Sequence, residues 1–185
     1  MLDDEKIREN TIVIYQSDNG HSTEERAHRG GGSAGPYRGS KFSLFEGGIR
    51  LPAIISWPGH LPEGEVRGQM AHGCDWFATL AELCNLKFEH RIDGKSIVPI
   101  IKSGDADSPH DSLAWKAGEH AAWRSGPWKL LRKPVPSRGA PPLAAGDREW
   151  FLANVETDPG ETINQKDNEP DIFEKLKSEL QAAME

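Results

Sequence analysis

The run Thr11-Ile12-Val13-Ile14-Tyr15, closed at once by Ser17-Asp18-Asn19-Gly20, limits what this chain can fold into more than any other feature. Consecutive apolar residues cannot alternate between a core face and a wet face. They predict a strand buried on both sides, as in the interior of a sheet covered by helices. Asn-Gly is a common hairpin turn, but a hairpin needs a second alternating strand directly afterwards. Here His21-Ser22-Thr23-Glu24-Glu25-Arg26 is wholly polar. The Asp18 end of the strand therefore faces a loop, at the sheet edge where open α/β proteins bind ligands.

The rest of the chain reads as an α/β portion followed by a small antiparallel sheet. Residues 3–10 suggest a short helical fragment, and 21–39, rich in Gly, Ser, His and Arg, a long surface loop. Pro52 to Trp57 is a second apolar strand. Between Gly73 and Leu86, the spacing of Trp76, Phe77, Leu80, Leu83 and Cys84 predicts an amphipathic helix with those residues inward. Asp93-Gly94 begins a turn before the short apolar run Ile97 to Ile101. After the polar stretch 103–109, the segments 112–115, 121–124 and 128–131 follow one another as hairpins, with Ser125-Gly126-Pro127 as a turn. A Pro/Ala/Gly-rich loop covers 134–146, a further strand 149–155, and Asp158-Pro159-Gly160 turns the chain. A final helix over 170–184 carries Ile172, Phe173, Leu176 and Leu180. We expect two domains, 1–105 and 106–185.

A chain of 185 residues can bury a core, and its formal charge of −7 excludes nucleic acid and anionic membranes as partners. The start, Met1-Leu2-Asp3-Asp4-Glu5-Lys6, is charged, so no signal peptide is expected and localisation stays open. Cys74 and Cys84 fall on one predicted helix about 15 Å apart, too far to bridge. Their apolar surroundings suggest core thiols.

Asp18 and Asn19 offer hard side-chain oxygens that suit a divalent cation such as Ca²⁺, which needs more ligands than one turn supplies. Lys41, in Gly39-Ser40-Lys41, is either a solvated surface lysine or a point charge held by a glycine-flanked loop against an ester oxygen. In Glu46-Gly47-Gly48-Ile49-Arg50, two glycines between a carboxylate and a guanidinium suggest a tight backbone feature stapled by a Glu46–Arg50 ion pair. Those two charges are expected to shape the Lys41 loop, outside the chemistry. His21 and His28 lie near this region without metal-ligand spacing; His21 is the one that could touch substrate.

These blocks, Glu9 to Gly20, Gly39-Ser40-Lys41 and Phe45 to Pro52, together with Asp75 to Leu80, Asp93-Gly94, Arg124 to Leu130, Glu149 to Leu152 and Asp158 to Glu161, resemble the C-terminal half of the formylglycine-dependent type I sulfatases. Within the alkaline phosphatase superfamily, the resemblance is to the arylsulfatase A and N-acetylgalactosamine-6-sulfatase-like branches. The resemblance implies a partial alkaline phosphatase-like α/β sandwich followed by a small antiparallel sheet with a C-terminal helix. It also implies sulfate ester hydrolysis, Ca²⁺ on Asp18 and Asn19, and Lys41 as a catalytic and sulfate-binding cation.

The Cys/Ser-X-Pro-X-Arg motif that furnishes the family's formylglycine nucleophile is not in this sequence. Cys74 is followed by Asp75-Trp76 and Cys84 by Asn85-Leu86. The Ca²⁺ site is therefore expected to be incomplete and the isolated chain inactive. The chain is also expected to aggregate, or to need the missing half or a second copy as partner. The family is typically periplasmic, secreted or lysosomal. Two other readings are a phosphodiesterase or phosphonate hydrolase of the same superfamily, and a non-catalytic module that binds sulfated glycans.

Overall fold

The computed structural model describes residues 1–25, 30–137 and 142–184; His28 and part of the loop expected over 134–146 lie outside them. Contacts divide the chain into two compact units, each discontinuous in sequence: Met1–Tyr15 with Ile54–Asp111, and Gln16–Ala53 with Ser112–Glu185. The second unit joins the Asp18 and Lys41 segments to the C-terminal sheet.

In the first unit, β1 (Val13–Gln16) pairs with β2 (Ala53–Ser56) in a two-stranded sheet. The apolar run does form a strand, but the expectation that it is buried on both faces is corrected: Val13 is 39% exposed and Tyr15 68%, and Ile54 of β2 is likewise exposed at 60%. A two-stranded ribbon lacks the flanking strands and covering layers that would bury such side chains. The expected fragment over 3–10 is a series of turns ending in a 3₁₀ helix at Arg8–Asn10.

Helix α2 (Asp75–Leu83) forms where the spacing predicts it but buries a different face. Asp75, Ala78, Thr79 and Ala81 are inside, while Phe77 is 58% exposed. Polar satisfaction explains the rotation. The Asp75 carboxylate accepts hydrogen bonds from the backbone amides of His72 at 2.7 Å and Lys95 at 2.9 Å, and lies 2.9 Å from the His110 ring. The Thr79 hydroxyl accepts the Ile97 amide at 3.1 Å, immediately before α3 (Val98–Lys102). Cys74 and Cys84 flank this helix, and both are exposed free thiols, which corrects their reading as core residues.

The second unit centres on a four-stranded antiparallel meander: β3 (Ser112–Ala117), β4 (His120–Ser125), β5 (Trp128–Arg132) and β6 (Trp150–Asn154). Alternation along β4, β5 and β6 gives it two apolar faces. Ala122, Leu131, Phe151 and Ala153 pack with Phe45, Leu143 and Val155. Ala121, Leu130 and Leu152 pack against Leu176 and Leu180 of α4 (Pro170–Met184). The Phe45 ring meets Phe151 edge-on, centroids 5.6 Å apart, and thereby fixes the segment that carries Lys41 to the sheet. No helix among the described residues is long and apolar enough to cross a membrane.

Candidate active site

Three backbone segments of the second unit meet behind Asp18 and Lys41. The Gly20 amide donates to the Gly48 carbonyl at 3.0 Å, the Lys41 amide to the His21 carbonyl at 3.0 Å, and the Gly47 amide to the Arg38 carbonyl at 2.6 Å. Gly47 and Gly48 belong to the single-turn helix α1 (Glu46–Ile49). A Cβ on Gly20 would stand 2.0 Å from the Gly47 carbonyl oxygen, and one on Gly48 would stand 2.1 Å from that of Ser43. Only hydrogen fits at such approaches. Glycine thus brings the strand-end turn and the lysine loop together, with Lys41 anchored three residues beyond Asp18 through His21.

The side chains of the predicted site residues differ in setting. Asp18 is exposed and Asn19 half-buried, its carbonyl accepting the Ser17 hydroxyl at 2.8 Å. The Lys41 ammonium sits 3.1 Å from the Glu24 carboxylate and 5.1 Å from the Phe42 ring centroid. Phe42 holds a left-handed backbone at φ 75°, which turns the chain directly after Lys41. His21 Nδ1 is buried, with no hydrogen-bond partner among the described residues.

The Glu46–Arg50 pair expected from the sequence is present at 3.3 Å, but Arg50 is the outermost of several cations around Glu46. Lys129 lies 2.9 Å from Glu46 and 3.1 Å from Glu161, and all three side chains are 2% exposed or less. Arg124 approaches Glu46 to 3.7 Å. Glu161 Oε2 accepts the Glu46 backbone amide, while its Oε1 lies near Lys129 without the alignment of a hydrogen bond.

Burial pushes the Glu46 carboxyl up, but the charges of Lys129, Arg124 and Arg50 outweigh that and hold it below its ordinary range. For Glu161, burial prevails over Lys129 and raises the carboxyl to about 7. Neither Lys129 nor Glu161 emerges from the sequence as a site element. One usable signal was Lys129 itself, a charge two residues from inward-facing Leu131 and so on the same face of the strand.

Ca²⁺ takes six to eight oxygens. Asp18 and Asn19 offer two carboxylate oxygens and one amide oxygen, chemistry that suits the ion in numbers that do not enclose it. Among the described residues, no group of three or more His, Cys, Asp or Glu is placed to hold a metal. These two residues alone do not make a Ca²⁺ centre.

The mixed α/β architecture, with its four-stranded sheet and terminal helix, is part of an alkaline phosphatase-like fold. A family model described as Sulfatase matches residues 1–86. The N-acetylgalactosamine-6-sulfatase of Sus scrofa is 42% identical over 106 residues, 56% of this chain and 20% of the relative. The steryl-sulfatase of Rattus norvegicus is 34% identical over 142 residues, 70% of this chain and 25% of the relative. A Bacteroides thetaiotaomicron sulfatase, described with that organism's metabolism of multiple glycosaminoglycans, superposes with a TM-score of 0.75 at 26% identity, over 98% of this chain and 40% of its own. A Pseudoalteromonas sulfatase superposes at 0.76 with 21% identity, over 99% and 38%, a likeness of fold alone.

Over residues 1–86 the chain carries the sulfatase family's sequence pattern, and it matches a fifth to a quarter of the length of these sequence relatives.

Proposed function

We propose that this chain supplies the strand-end turn and the cation loop of a site that hydrolyses sulfate esters, with sulfated carbohydrates as the substrate class. The single observation behind this reading is the pair of backbone hydrogen bonds, Gly20 to Gly48 and Lys41 to His21, that brings the two blocks together. In it, Lys41 places a positive point charge beside the sulfate or the bridging oxygen, favouring the charge that develops as the S–O bond breaks. Asp18 and Asn19 would contribute part of the oxygen shell of a Ca²⁺ ion, whose charge would polarise the sulfate. Glu46 and Arg50 shape the loop. His21, beside Lys41, is a substrate contact.

The carbohydrate class is drawn from the relatives, whose names include an N-acetylgalactosamine-6-sulfatase and a sulfatase of glycosaminoglycan metabolism. Those names also favour sulfate over phosphodiester.

Titration with inorganic sulfate, followed at the Lys41 amide resonance, tests the reading. Saturable movement that disappears in Lys41→Ala supports it, and a Lys41 resonance indifferent to sulfate overturns it. On a chain extended upstream to carry the nucleophile motif, hydrolysis of p-nitrophenyl sulfate in preference to a p-nitrophenyl phosphodiester separates it from the phosphodiesterase alternative.

A further inference from the structure

The buried charges beneath the site have a use that their contribution to folding does not exhaust. Unpaired or partly paired ions are costly to bury, and an apolar cluster could fill the same space. Yet Lys129, at 0% exposed, stands between two carboxylates on separate segments: Glu46, which opens α1, and Glu161, at the end of the Asp158-Pro159-Gly160 turn.

Glu161 is fixed on both sides. It has a left-handed backbone at φ 48°, its carbonyl accepts Arg38 Nη1 at 2.9 Å, and its carboxylate accepts the amide of Glu46. Arg38 in turn lies over the Phe45 ring at 4.5 Å, and its own carbonyl accepts the Gly47 amide. The charged cluster therefore grips α1 at its first residue and the lysine loop at Arg38. One and two residues further along α1, Gly47 and Gly48 make the contacts that hold Gly20 and the 38–43 backbone.

We propose that Lys129 and Glu161 are positioning residues, acting through Glu46 and Arg38 to set the placement of the Asp18-Asn19-Gly20 turn against the Lys41 loop. Their importance to function rests on the reading of those two segments as site elements; the mechanical coupling does not.

The coupling is visible without turnover. In Glu161→Ala, amide hydrogen exchange at Gly20 and Lys41 accelerates about tenfold while amides of β5 and β6 keep their protection. Glu161→Gln, which retains an acceptor for the Glu46 amide, preserves most of that protection. Should Glu161→Ala not fold, the unmodified chain provides the second measurement. The Gly20 and Lys41 amide shifts contain a pH-dependent component with the same midpoint as the Glu161 carboxyl carbon, and Glu161→Gln abolishes it.

The groups facing that carboxyl are Lys129 from β5 and Glu46 from α1. Arg38 binds its backbone carbonyl, and Arg124 and Arg50 bear on it through Glu46. A component that survives in Glu161→Gln belongs to another group such as His21 and overturns the proposal. So does exchange in Glu161→Ala that rises equally everywhere or at neither site amide. Coupling found in a chain whose Lys41 amide ignores sulfate would support the positioning role and overturn the functional reading alone.

Discussion

The Lys41 ammonium lies 3.1 Å from the Glu24 carboxylate, with each side chain about a quarter exposed, so the cation read as a sulfate contact already has an anion on it. Glu24 is itself braced by the Ser22 hydroxyl at 3.2 Å. A sulfate ester reaching Lys41 must compete with this internal carboxylate.

Glu24→Gln should therefore tighten inorganic sulfate binding. Partly exposed ion pairs contribute only a few tenths of a kcal/mol to about 1 kcal/mol, so the gain is about two- to fivefold. It shrinks as ionic strength rises, because the competing attraction is screened. Calorimetric titration of the variant and the wild type at two salt concentrations checks both; equal affinities would show that Glu24 does not oppose the anion.

Removing Lys129 should be among the most damaging single changes in the second unit. Lys129→Met leaves Glu46 and Glu161 buried and facing one another, and breaking a buried charged cluster in this way costs about 3–5 kcal/mol. Adding Glu161→Gln removes the carboxyl that loses its cation, whereas Glu46 keeps Arg50 and Arg124, and should recover part of the loss above about pH 7, where Glu161 is ionised. Urea denaturation of both variants measures this, and a double variant no better than the single one would contradict it.

The pH dependence of stability follows from the same cluster. Glu161 has a carboxyl raised to about 7, so the folded chain keeps a proton that the unfolded chain gives up near 4.5. Stability from this group is full below about pH 4.5 and is lost as the pH rises through about 7. Glu46 is shifted the opposite way, and its contribution is lost as the pH falls below the ordinary carboxylate range. The melting temperature should thus decline between about pH 5 and pH 8, and Glu161→Gln should flatten that decline. A slope unchanged in the variant would assign it elsewhere.

Much of the second unit was legible because its signals are local. Ser125-Gly126-Pro127 marks the turn between β4 and β5, and Ile172, Phe173, Leu176 and Leu180 share one face of α4, as the sequence suggests. A tight backbone feature at Gly47-Gly48 was legible in the two glycines between Glu46 and Arg50, though its partners at Gly20, Arg38 and Ser43 were not.

The parts that escaped depend on partners distant in sequence. The partners of Lys129 could not be read locally, since Glu46 lies 83 residues upstream of it. The inward face of α2 was misjudged because Asp75 and Thr79 are buried to satisfy the amides of Lys95 and Ile97, a demand that apolar spacing does not register.

The glycines themselves offer a direct test of the contact that brings the two segments together. In Gly48→Ala the new methyl would lie 2.1 Å from the Ser43 carbonyl oxygen and 2.6 Å from that of Ser40, both backbone atoms that cannot swing aside. The lysine loop must shift bodily, at an overpacking cost of about 1–3 kcal/mol. Its displacement should pull the Lys41 amide from the His21 carbonyl and weaken sulfate binding beyond what the lost stability explains. By contrast, Gly146→Ala, in the same unit, has nothing within 4 Å of the added Cβ and should leave binding unchanged. Paired measurements of unfolding free energy and sulfate affinity on the two variants decide the matter, since equal sulfate binding in both would mean that close contact at Gly48 does not set the position of Lys41.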